Sequence, residues 1–337
     1  MANLKTNYMG IELKNPIIMG ANALSGDLDF VKEQEKNGIA AVVYKTIFEQ
    51  DVQLENLEID VNLEEYEERH AEMTSILPKI DDFGPESRIL KLKEFKKNIS
   101  IPVIASLNAI NKSSWIEYAK QIEKTGVDAI EINLFYSPES FEKTSSEIEE
   151  EQIDIMRELK KVIEIPVSVK LSPYYTNCLN MIKRFEEVGI DGFLLFNKFI
   201  EPEINIEDKS FKNKLNISGS SENRHSLKFI GTSYKNIKAD FCAGTGVITS
   251  EDIIKMILVG ASAVQVVSSI YKDNKNAVRK LLNGLSEWMD KNNYKSIEDF
   301  QGKLAKCNIE NPYSYNLAQY LDNSKNSTHI LEEHNNI

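Results

Sequence analysis

Polar side chains interrupt several apolar runs of this chain at the points where those runs end. Glu131 and Asn133 lie in an alternating run that continues into 135–138, where a tyrosine and a serine stand beside a proline. Lys45 and Lys170 each stand at the end of another such run. A buried ammonium group is costly unless it meets a negative charge. These residues therefore predict a charged site, in which the partner of the lysines is a carboxylate such as Glu131 or an anionic ligand.

Asparagines recur at similar positions. Asn22, Asn108, Asn133 and Asn197 stand at or just after the ends of apolar runs. A side-chain amide offers both a donor and an acceptor, so it pairs well with the imide and carbonyl edges of a heterocycle. One such asparagine is typical of a turn or a helix cap. Four of them at strand ends favour a planar heterocyclic ligand.

A glycine-containing stretch, 243–249, follows an apolar run and opens a helical pattern. Gly244 and Gly246 allow backbone N–H groups to approach a phosphate, and the helix N-terminus adds a favourable dipole. A later run ends on Ser268 and Ser269, whose hydroxyl groups extend the set of donors. The sequence thus predicts a phosphate site, with an ordinary turn and helix cap as the alternative.

The elements that position these residues follow a regular alternation. Predicted strands lie near 16–20, 39–44, 102–107, 127–134, 166–171, 190–196, 239–243 and 262–267. Predicted helices lie near 28–37, 86–97, 113–125, 145–163, 177–188, 224–237, 250–259 and 273–291. Eight such units favour an α/β fold closed into a (β/α)8 TIM barrel, whose strand ends carry the site at one face.

Smaller signals complete the predicted architecture. Alternation around Met9 and Gly10 indicates an N-terminal hairpin. Long connections at 46–85 and 197–223, after strands 2 and 6, are typical of lids or binding loops. We expect one barrel domain over residues 1–310 and a loosely ordered extension over 311–337. Glycine separates helix from strand at four places and predicts a positive φ there: Gly38, Gly126, Gly189 and Gly260.

Composition narrows the class of partner. The formal charge is 40 − 52 = −12 without a basic cluster, which argues against nucleic acid and anionic membranes. Three separated cysteines fit a reducing cytoplasm, and four histidines lack metal-ligand spacing. No apolar run approaches the roughly 20 residues of a membrane span. We expect a cytoplasmic protein that takes a small-molecule substrate and no metal. Acidic runs at 55–68 and 147–151 are interpreted as solvated helix faces.

Taken together, these motifs resemble the dihydroorotate dehydrogenases, which are FMN-binding barrels, from about Tyr8 to Leu304. The matching stretches are Asn15–Pro16, Lys45–Thr46, Asn133–Leu134, Val169–Tyr174, Asn197, Gly244–Gly246, Gln265–Ser269 and Tyr294–Leu304.

The resemblance implies a role for each matching residue. Lys170 would lie beside the flavin ring and stabilise its anionic reduced form, while Asn133 and Asn197 would hold flavin and substrate edges. Lys45 and Thr46 would contact both molecules. The full set of implied FMN contacts is Ala21, Asn22, Lys45, Thr46, Asn133, Lys170, Gly219, Gly244, Thr245, Gly246, Ser268 and Ser269.

Two departures from the family pattern concern the substrate. The family places a Cys or Ser base three residues after the asparagine, where this chain has Tyr136. Ser137 precedes Pro138 instead, one residue late, and Glu139 replaces an expected asparagine. A family loop of the Asn-Ser-Met-Gly-Leu type has no counterpart between residues 51 and 85. We therefore expect weak or absent turnover of dihydroorotate.

The predicted function is an FMN-dependent oxidoreductase that transfers hydride between a C–C bond of a small dihydropyrimidine-like substrate and flavin N5. Ser137 or Tyr136 would move the proton, and Lys45 would assist catalysis. Alternatives are dihydroorotate dehydrogenase proper, in pyrimidine biosynthesis, and a catalytically silent flavin-binding subunit. A Rossmann dehydrogenase is disfavoured because its glycines would follow the first strand. The resemblance also implies that the protein belongs to the soluble class and forms a homodimer. The electron acceptor is left undetermined. If electrons pass through an iron–sulfur cluster, the resemblance implies that a partner subunit holds it.

Overall fold

The computed structural model describes residues 2–49, 84–109, 111–134, 136, 141–198, 202–212, 217–273 and 276–315. Its strands are β1 Thr6–Tyr8, β2 Ile11–Leu13, β3 Ile17–Met19, β4 Ala41–Phe48, β5 Val103–Asn108, β6 Ala129–Asn133, β7 Val167–Leu171, β8 Gly192–Leu195, β9 Glu203–Asn205, β10 Ser210–Lys212, β11 Asp240–Ala243 and β12 Ala263–Val266. Its helices are α1 Leu28–Asn37, α2 Gly84–Asn98, α3 Lys112–Glu123, α4 Ser145–Lys160, α5 Cys178–Glu187, α6 Arg224–Ser233, α7 Ser250–Leu258, α8 Ser268–Lys272 and α9 Ala277–Lys291.

Eight parallel strands close into a barrel in the order β11-β12-β3-β4-β5-β6-β7-β8. Each strand pairs in parallel with its neighbour, as in the register that sets Asn133 opposite Lys170. The helical patterns lie between these strands, so the predicted (β/α)8 barrel is confirmed. The predicted final helix, 273–291, is wrong in its start: a short helix, α8, precedes α9.

Side chains alternate between two cores along each barrel strand. In β6, Ile130 and Ile132 belong to the outer core against the helices. Ala129 belongs to a second cluster inside the barrel, and Glu131 and Asn133 share its face of the strand. This alternation places the polar residues of the strand ends in the barrel interior, at the carboxyl ends of the strands.

The predicted N-terminal hairpin is confirmed and closes the opposite end of the barrel. β1 and β2 pair antiparallel around Met9 and Gly10, which have φ values of +55° and +78°. Tyr8 and Met9 are 1% and 4% exposed and join the interior cluster. The Met9 N–H donates to Asp240 at 2.8 Å, which fixes the hairpin to the start of β11.

Glycine ends the helices as predicted. Gly38, Gly126, Gly189 and Gly260 have φ values between +83° and +117°. Only glycine adopts this region without strain, so each helix stops where its next strand must enter the barrel.

The segment after α9 packs against the outside of the barrel. Ile297, Phe300 and Ala305 are fully buried. The Gly302 N–H donates to the Ile257 carbonyl at 2.9 Å, and the Leu304 N–H donates to the Leu258 carbonyl at 2.7 Å. The chain is described as far as a short helix, Pro312–Tyr315. The boundary at 310 stays a prediction, since the later residues of the extension lie outside the described ranges.

Two other predictions concern the surface. Glu147, Glu150 and Glu151 are exposed on α4, which confirms their interpretation as a solvated face, whereas 55–68 lies outside the described residues. None of the helices in the described part of the chain is long and apolar enough to cross a membrane.

Candidate active site

Three asparagines form a hydrogen-bonded group at the carboxyl ends of the strands. Asn133 ends β6 and is 5% exposed. Its side-chain oxygen accepts a hydrogen bond from the Asn197 amide at 3.0 Å, and its backbone carbonyl accepts one from the Asn108 amide at 2.8 Å. The Asn197 N–H donates to the Leu171 carbonyl at 2.8 Å, which fixes the residue beside β7. The structure thus brings together three of the four asparagines singled out from the sequence.

The bond between Asn133 and Asn197 leaves one polar atom free on each amide. Within the described residues, neither Nδ2 of Asn133 nor Oδ1 of Asn197 makes a hydrogen bond. The pair therefore presents a donor and an acceptor side by side. An amide or imide edge of a planar ring offers the complementary acceptor and donor.

Asn22 has a different, local role. It caps the short helix Ala23–Gly26: its side-chain oxygen accepts from the Leu24 N–H at 2.8 Å, and its amide donates to the Gly20 carbonyl at 2.7 Å. Its amide is thus used by the turn after β3. Ala21 lies in the same turn and is partly buried. The FMN contacts that the resemblance implies for Ala21 and Asn22 stay a prediction.

Lys170 and Glu131 lie on neighbouring strands of the barrel, and their charges influence each other without a direct ion pair. Glu131 is 1% exposed, and its Oε2 accepts a hydrogen bond from the Gln265 amide at 2.5 Å. Burial raises the pKa of Glu131, and the charge of Lys170 and the Gln265 hydrogen bond partly offset this. Burial lowers the pKa of Lys170, which the Glu131 charge opposes. The expected negative partner of Lys170 is therefore Glu131.

Lys45 differs from its prediction. The strand does not end at Tyr44: β4 continues to Phe48, with a register shift between Tyr44 and Ile47 where it pairs with β5. Such a bulge turns side chains away from regular alternation. Lys45 is exposed. The expectation of a buried lysine there is wrong because the bulge turns it toward solvent.

Thr46, the next residue of the bulge, faces the interior. It is 7% exposed, and its hydroxyl shares a hydrogen bond of 2.9 Å with Ser106 of β5. Ser106 was not singled out from the sequence, because nothing local marks a serine in an apolar strand as polar lining.

Three loops at the same face converge on one small region. They are the segment before α6, the loop after β11 and the start of α8. Ser218 connects them: its hydroxyl pairs with the Ser268 hydroxyl at 2.8 Å and accepts from the Gly246 N–H at 3.2 Å. Lys272 contributes a positive charge, since its ammonium donates to the Ser218 carbonyl at 3.4 Å. We call Ser218, Gly219, Gly244–Gly246, Ser268 and Ser269 the glycine–serine cradle.

Close backbone packing shapes this cradle. Gly246 has a φ of +79°, and a Cβ there would lie 2.6 Å from the Asn223 backbone nitrogen. Thr245, a β-branched residue, has a φ of +54°, and its hydroxyl donates to the Phe196 carbonyl at 2.8 Å. A positive φ at such a residue is costly and marks a loop held in place by its surroundings.

Asp252 joins two of the loops. It is 1% exposed, and its carboxylate accepts from the Thr249 N–H at 2.9 Å, the Ser220 hydroxyl at 2.8 Å and the Asn223 amide at 2.9 Å. Burial works against the charged form, but these hydrogen bonds outweigh it and lower the pKa. Asp252 was not singled out from the sequence, since its partners Ser220 and Asn223 are distant along the chain.

The candidate bases are only partly described. Tyr136 is partly buried, and the Lys143 ammonium lies 5.4 Å from the centre of its ring. Ser137 lies outside the described residues, so its position relative to Lys170 and Asn133 stays a prediction. No three His, Cys, Asp or Glu side chains are arranged to hold a metal ion in the described ranges.

The residues fit FMN at both ends. At the cradle, the Ser269 side chain is 4% exposed and its hydroxyl makes no hydrogen bond with a described residue, so it is available to a phosphate. At the strand ends, Lys170 makes no hydrogen bond or ion pair within the described ranges, and the two asparagines keep a free donor and acceptor. A phosphate and a planar ring are the two parts of FMN that require such partners.

Comparison with known proteins identifies the family. A family model described as dihydroorotate dehydrogenase matches residues 3–289 of this chain. The chain belongs to the dihydroorotate dehydrogenase family. The resemblance drawn from the sequence motifs is thereby confirmed, and with it membership in a family of FMN-dependent oxidoreductases.

Members of the dihydroorotate dehydrogenase family align with nearly the whole chain. The dihydroorotate dehydrogenase B (NAD(+)) catalytic subunit of Thermoplasma acidophilum is 28% identical over 307 residues, which cover 90% of this chain and 99% of that protein. The subunit of the same name from Methanocaldococcus jannaschii is 26% identical over 304 residues, which cover 89% and 97%. Dihydroorotate dehydrogenase A (fumarate) of Lactobacillus delbrueckii subsp. bulgaricus is 24% identical over 314 residues, which cover 90% and 99%.

Proposed function

We propose that this protein is an FMN-dependent oxidoreductase that acts on a C–C bond of a small dihydropyrimidine-like ring. The observation that carries the proposal is the free donor of Asn133 beside the free acceptor of Asn197, at the same barrel face as Lys170. These groups suit the amide edges of a planar ring better than an aliphatic substrate.

In this proposal some residues bind the two molecules and another supplies charge. The glycine–serine cradle and Lys272 hold the phosphate, while Asn133 and Asn197 orient ring edges. FMN, when bound, would supply the hydride acceptor for the substrate. Lys170 supplies a fixed positive charge where negative charge grows during that transfer. From the bulge of β4, Lys45 and Thr46 would contact flavin and substrate.

Proton transfer falls to the loop after β6. Tyr136 or Ser137 removes the proton from the substrate carbon.

Dihydroorotate is the second candidate substrate. The names of the aligned relatives favour it. The tyrosine at position 136, where the family pattern has Cys or Ser, favours another dihydropyrimidine. An anaerobic panel of dihydroorotate, dihydrouracil and dihydrothymine separates the two, with bleaching of the flavin as the signal. We expect dihydroorotate to be slower than a neutral dihydropyrimidine, and normal kinetics with dihydroorotate would favour the second candidate.

The visible spectrum of the purified protein tests the cofactor. We expect a yellow protein, or uptake of one FMN per chain on reconstitution. A colourless protein that takes up no FMN would contradict the proposal. Flavin that dithionite reduces but no dihydropyrimidine reduces would instead indicate a silent flavin-binding subunit.

The assembly is proposed on separate grounds. Several relatives are named catalytic subunits, and we extend that to this chain: electrons leave to an acceptor through a partner subunit. We further propose a homodimer that covers the β9–β10 hairpin, in which Ile206 and Phe211 are 77% and 70% exposed. A two-stranded hairpin is marginally stable alone. Light scattering of the purified chain should give twice the mass of one chain, and a monomer would contradict the dimer.

A further inference from the structure

A carboxylate lies in the barrel interior below the lysine of the site. Glu131 stands in the middle of β6, two residues before Asn133, and is almost fully buried. Lys170 stands on the neighbouring strand, opposite Asn133, and is partly buried. Val169 and Leu171, on either side of Lys170, belong to the outer core, so Lys170 and Glu131 share the interior face of the sheet.

Gln265 fixes this carboxylate from across the barrel. Its amide donates to Oε2 of Glu131 at 2.5 Å, although the two residues are 134 positions apart in the chain. Oε1 of Glu131 makes no hydrogen bond with any described residue. A buried carboxylate with one unsatisfied oxygen is unfavourable unless a positive charge compensates it.

Lys170 is the cation available to it. The other titratable groups that couple to Glu131 in the described ranges are Tyr8 of the hairpin and Cys242 of β11, and burial raises the pKa of both, which keeps them neutral. Ser168, on the strand of Lys170, is uncharged. Lys45 is exposed and makes no ion pair with the described residues.

We propose that Glu131, held by Gln265, is a positioning residue whose charge keeps Lys170 protonated in the barrel interior. Without that charge, burial favours the neutral amine, which has no positive charge to offer a ligand. The carboxylate does not touch the substrate or the cofactor; it acts through Lys170. The proposal rests on the proposed flavin function only for the use that the protein makes of this charge. The protonation state of Lys170 itself can be measured without a flavin.

The test measures the protonation of Lys170 directly. The full chain is labelled with ¹³C at the lysine ε-carbons, and the Lys170 signal is assigned by its loss in Lys170→Arg. We expect the wild-type signal to show a cation at about pH 7. In Glu131→Gln the titration midpoint should fall by about one pH unit or more, a roughly tenfold change in the ratio of charged to neutral amine.

Two variants separate charge from structure. Glu131→Asp keeps the carboxylate and should restore at least half of the shift. Asp240→Asn removes another partly buried carboxylate, the one that accepts from Met9 at 2.8 Å, and should leave the Lys170 midpoint unchanged. An unshifted midpoint in Glu131→Gln, or an equal shift in Asp240→Asn, overturns the proposal.

The wild-type chain decides the matter if Glu131→Gln does not fold. A neutral Lys170 in the wild type at about pH 7 would show that Glu131 does not maintain the charge, and a protonated Lys170 at that pH supports it. A second readout uses the flavin: the midpoint potential of bound FMN should become more negative in Glu131→Gln. If the protein does not bind FMN, that readout is lost and the proposed function is contradicted. The lysine titration would still test the role of Glu131.

Discussion

Asn133 and Asn197 show how two identical side chains acquire opposite tasks. One hydrogen bond between them consumes the oxygen of Asn133 and one N–H of Asn197. The remaining atoms then differ, a donor on one residue and an acceptor on the other. This order specifies which way round an amide-containing ring can bind.

Replacing Asn197 with aspartate should abolish that order, because both free atoms of the pair then become acceptors. The carboxylate cannot donate to Oδ1 of Asn133, so the two oxygens repel and the Asn133 amide turns over. We expect kcat/KM to fall about 100-fold, since a buried polar group left unpaired costs about 1 to 3 kcal/mol. Steady-state kinetics with the best substrate of the panel measures this. Asn236→Asp, an exposed change three residues after the end of α6, should have no effect on kcat/KM, and equal losses in both would contradict the assignment.

Asp252 gives a prediction about pH. Its pKa is lowered in the folded protein, so the stability it contributes is present above the ordinary aspartate pKa near 4 and is lost as pH falls through the lowered value. Asp252→Asn should therefore reduce the free energy of unfolding by about 1 to 3 kcal/mol at neutral pH. The difference from wild type should shrink below about pH 4. Urea unfolding across pH measures both, and a difference that does not change with pH would argue against this role.

At the scale of elements, the shape of the glycine–serine cradle depends on the backbone conformation of the loop after β11. Gly246→Ala should be damaging for two reasons: φ is +79°, and the new Cβ would lie 2.6 Å from the Asn223 nitrogen and 2.9 Å from the Gly219 carbonyl oxygen. We expect a loss of more than about 1 kcal/mol of stability and at least a tenfold weaker FMN affinity.

Gly126→Ala is the matched control for this loop. Its φ of +83° is nearly the same, but a Cβ there meets no atom within 4 Å. It should show the backbone cost of about 1 kcal/mol without a change in FMN affinity. Thermal unfolding and fluorescence titration with FMN measure the two effects, and equal FMN affinities in both variants would show that the cradle tolerates the Cβ.

The elements were predictable from the sequence because their signals are local. β-branched runs, helical spacing and terminal glycines fall within a few residues of each other, and they gave the eight units of the barrel. The bulge at Tyr44–Ile47 was not predictable, since it depends on how β4 pairs with β5. The start of α8 was missed because it follows directly from β12 with no turn residue between them.

A site residue was predictable from the sequence only where its type and its position next to a strand end are unusual. Lys170, Asn133 and Gly246 stand out by type and position. Gln265 and Asp252 do not, because their importance lies in partners 134 and 32 positions away, Glu131 and Ser220. Such bonds between distant segments arise from the tertiary fold, which a local pattern does not encode.

At the scale of the whole molecule, the segment after α9 belongs to the folded barrel. Phe300 is fully buried, with its ring 5.1 Å from that of Trp288 and 5.3 Å from that of Tyr294. Phe300→Ala should lower the free energy of unfolding by about 3 to 5 kcal/mol. Leu304→Ala, four residues later and 51% exposed, should cost less than about 1 kcal/mol. Chemical denaturation measures both, and similar losses would contradict the packing of this segment.

The hairpin that closes the barrel has a consequence for turnover. Tyr8 and Met9 fill the amino-terminal end of the described barrel, which leaves the mouth at the carboxyl ends of the strands for small molecules. A spent donor still in that mouth blocks any small acceptor that uses the same entrance. Release of the first product must then precede arrival of the second reactant, which gives parallel lines in double-reciprocal plots. Inhibition by the product should be competitive with such an acceptor, whereas electrons that pass to a partner subunit escape this restriction.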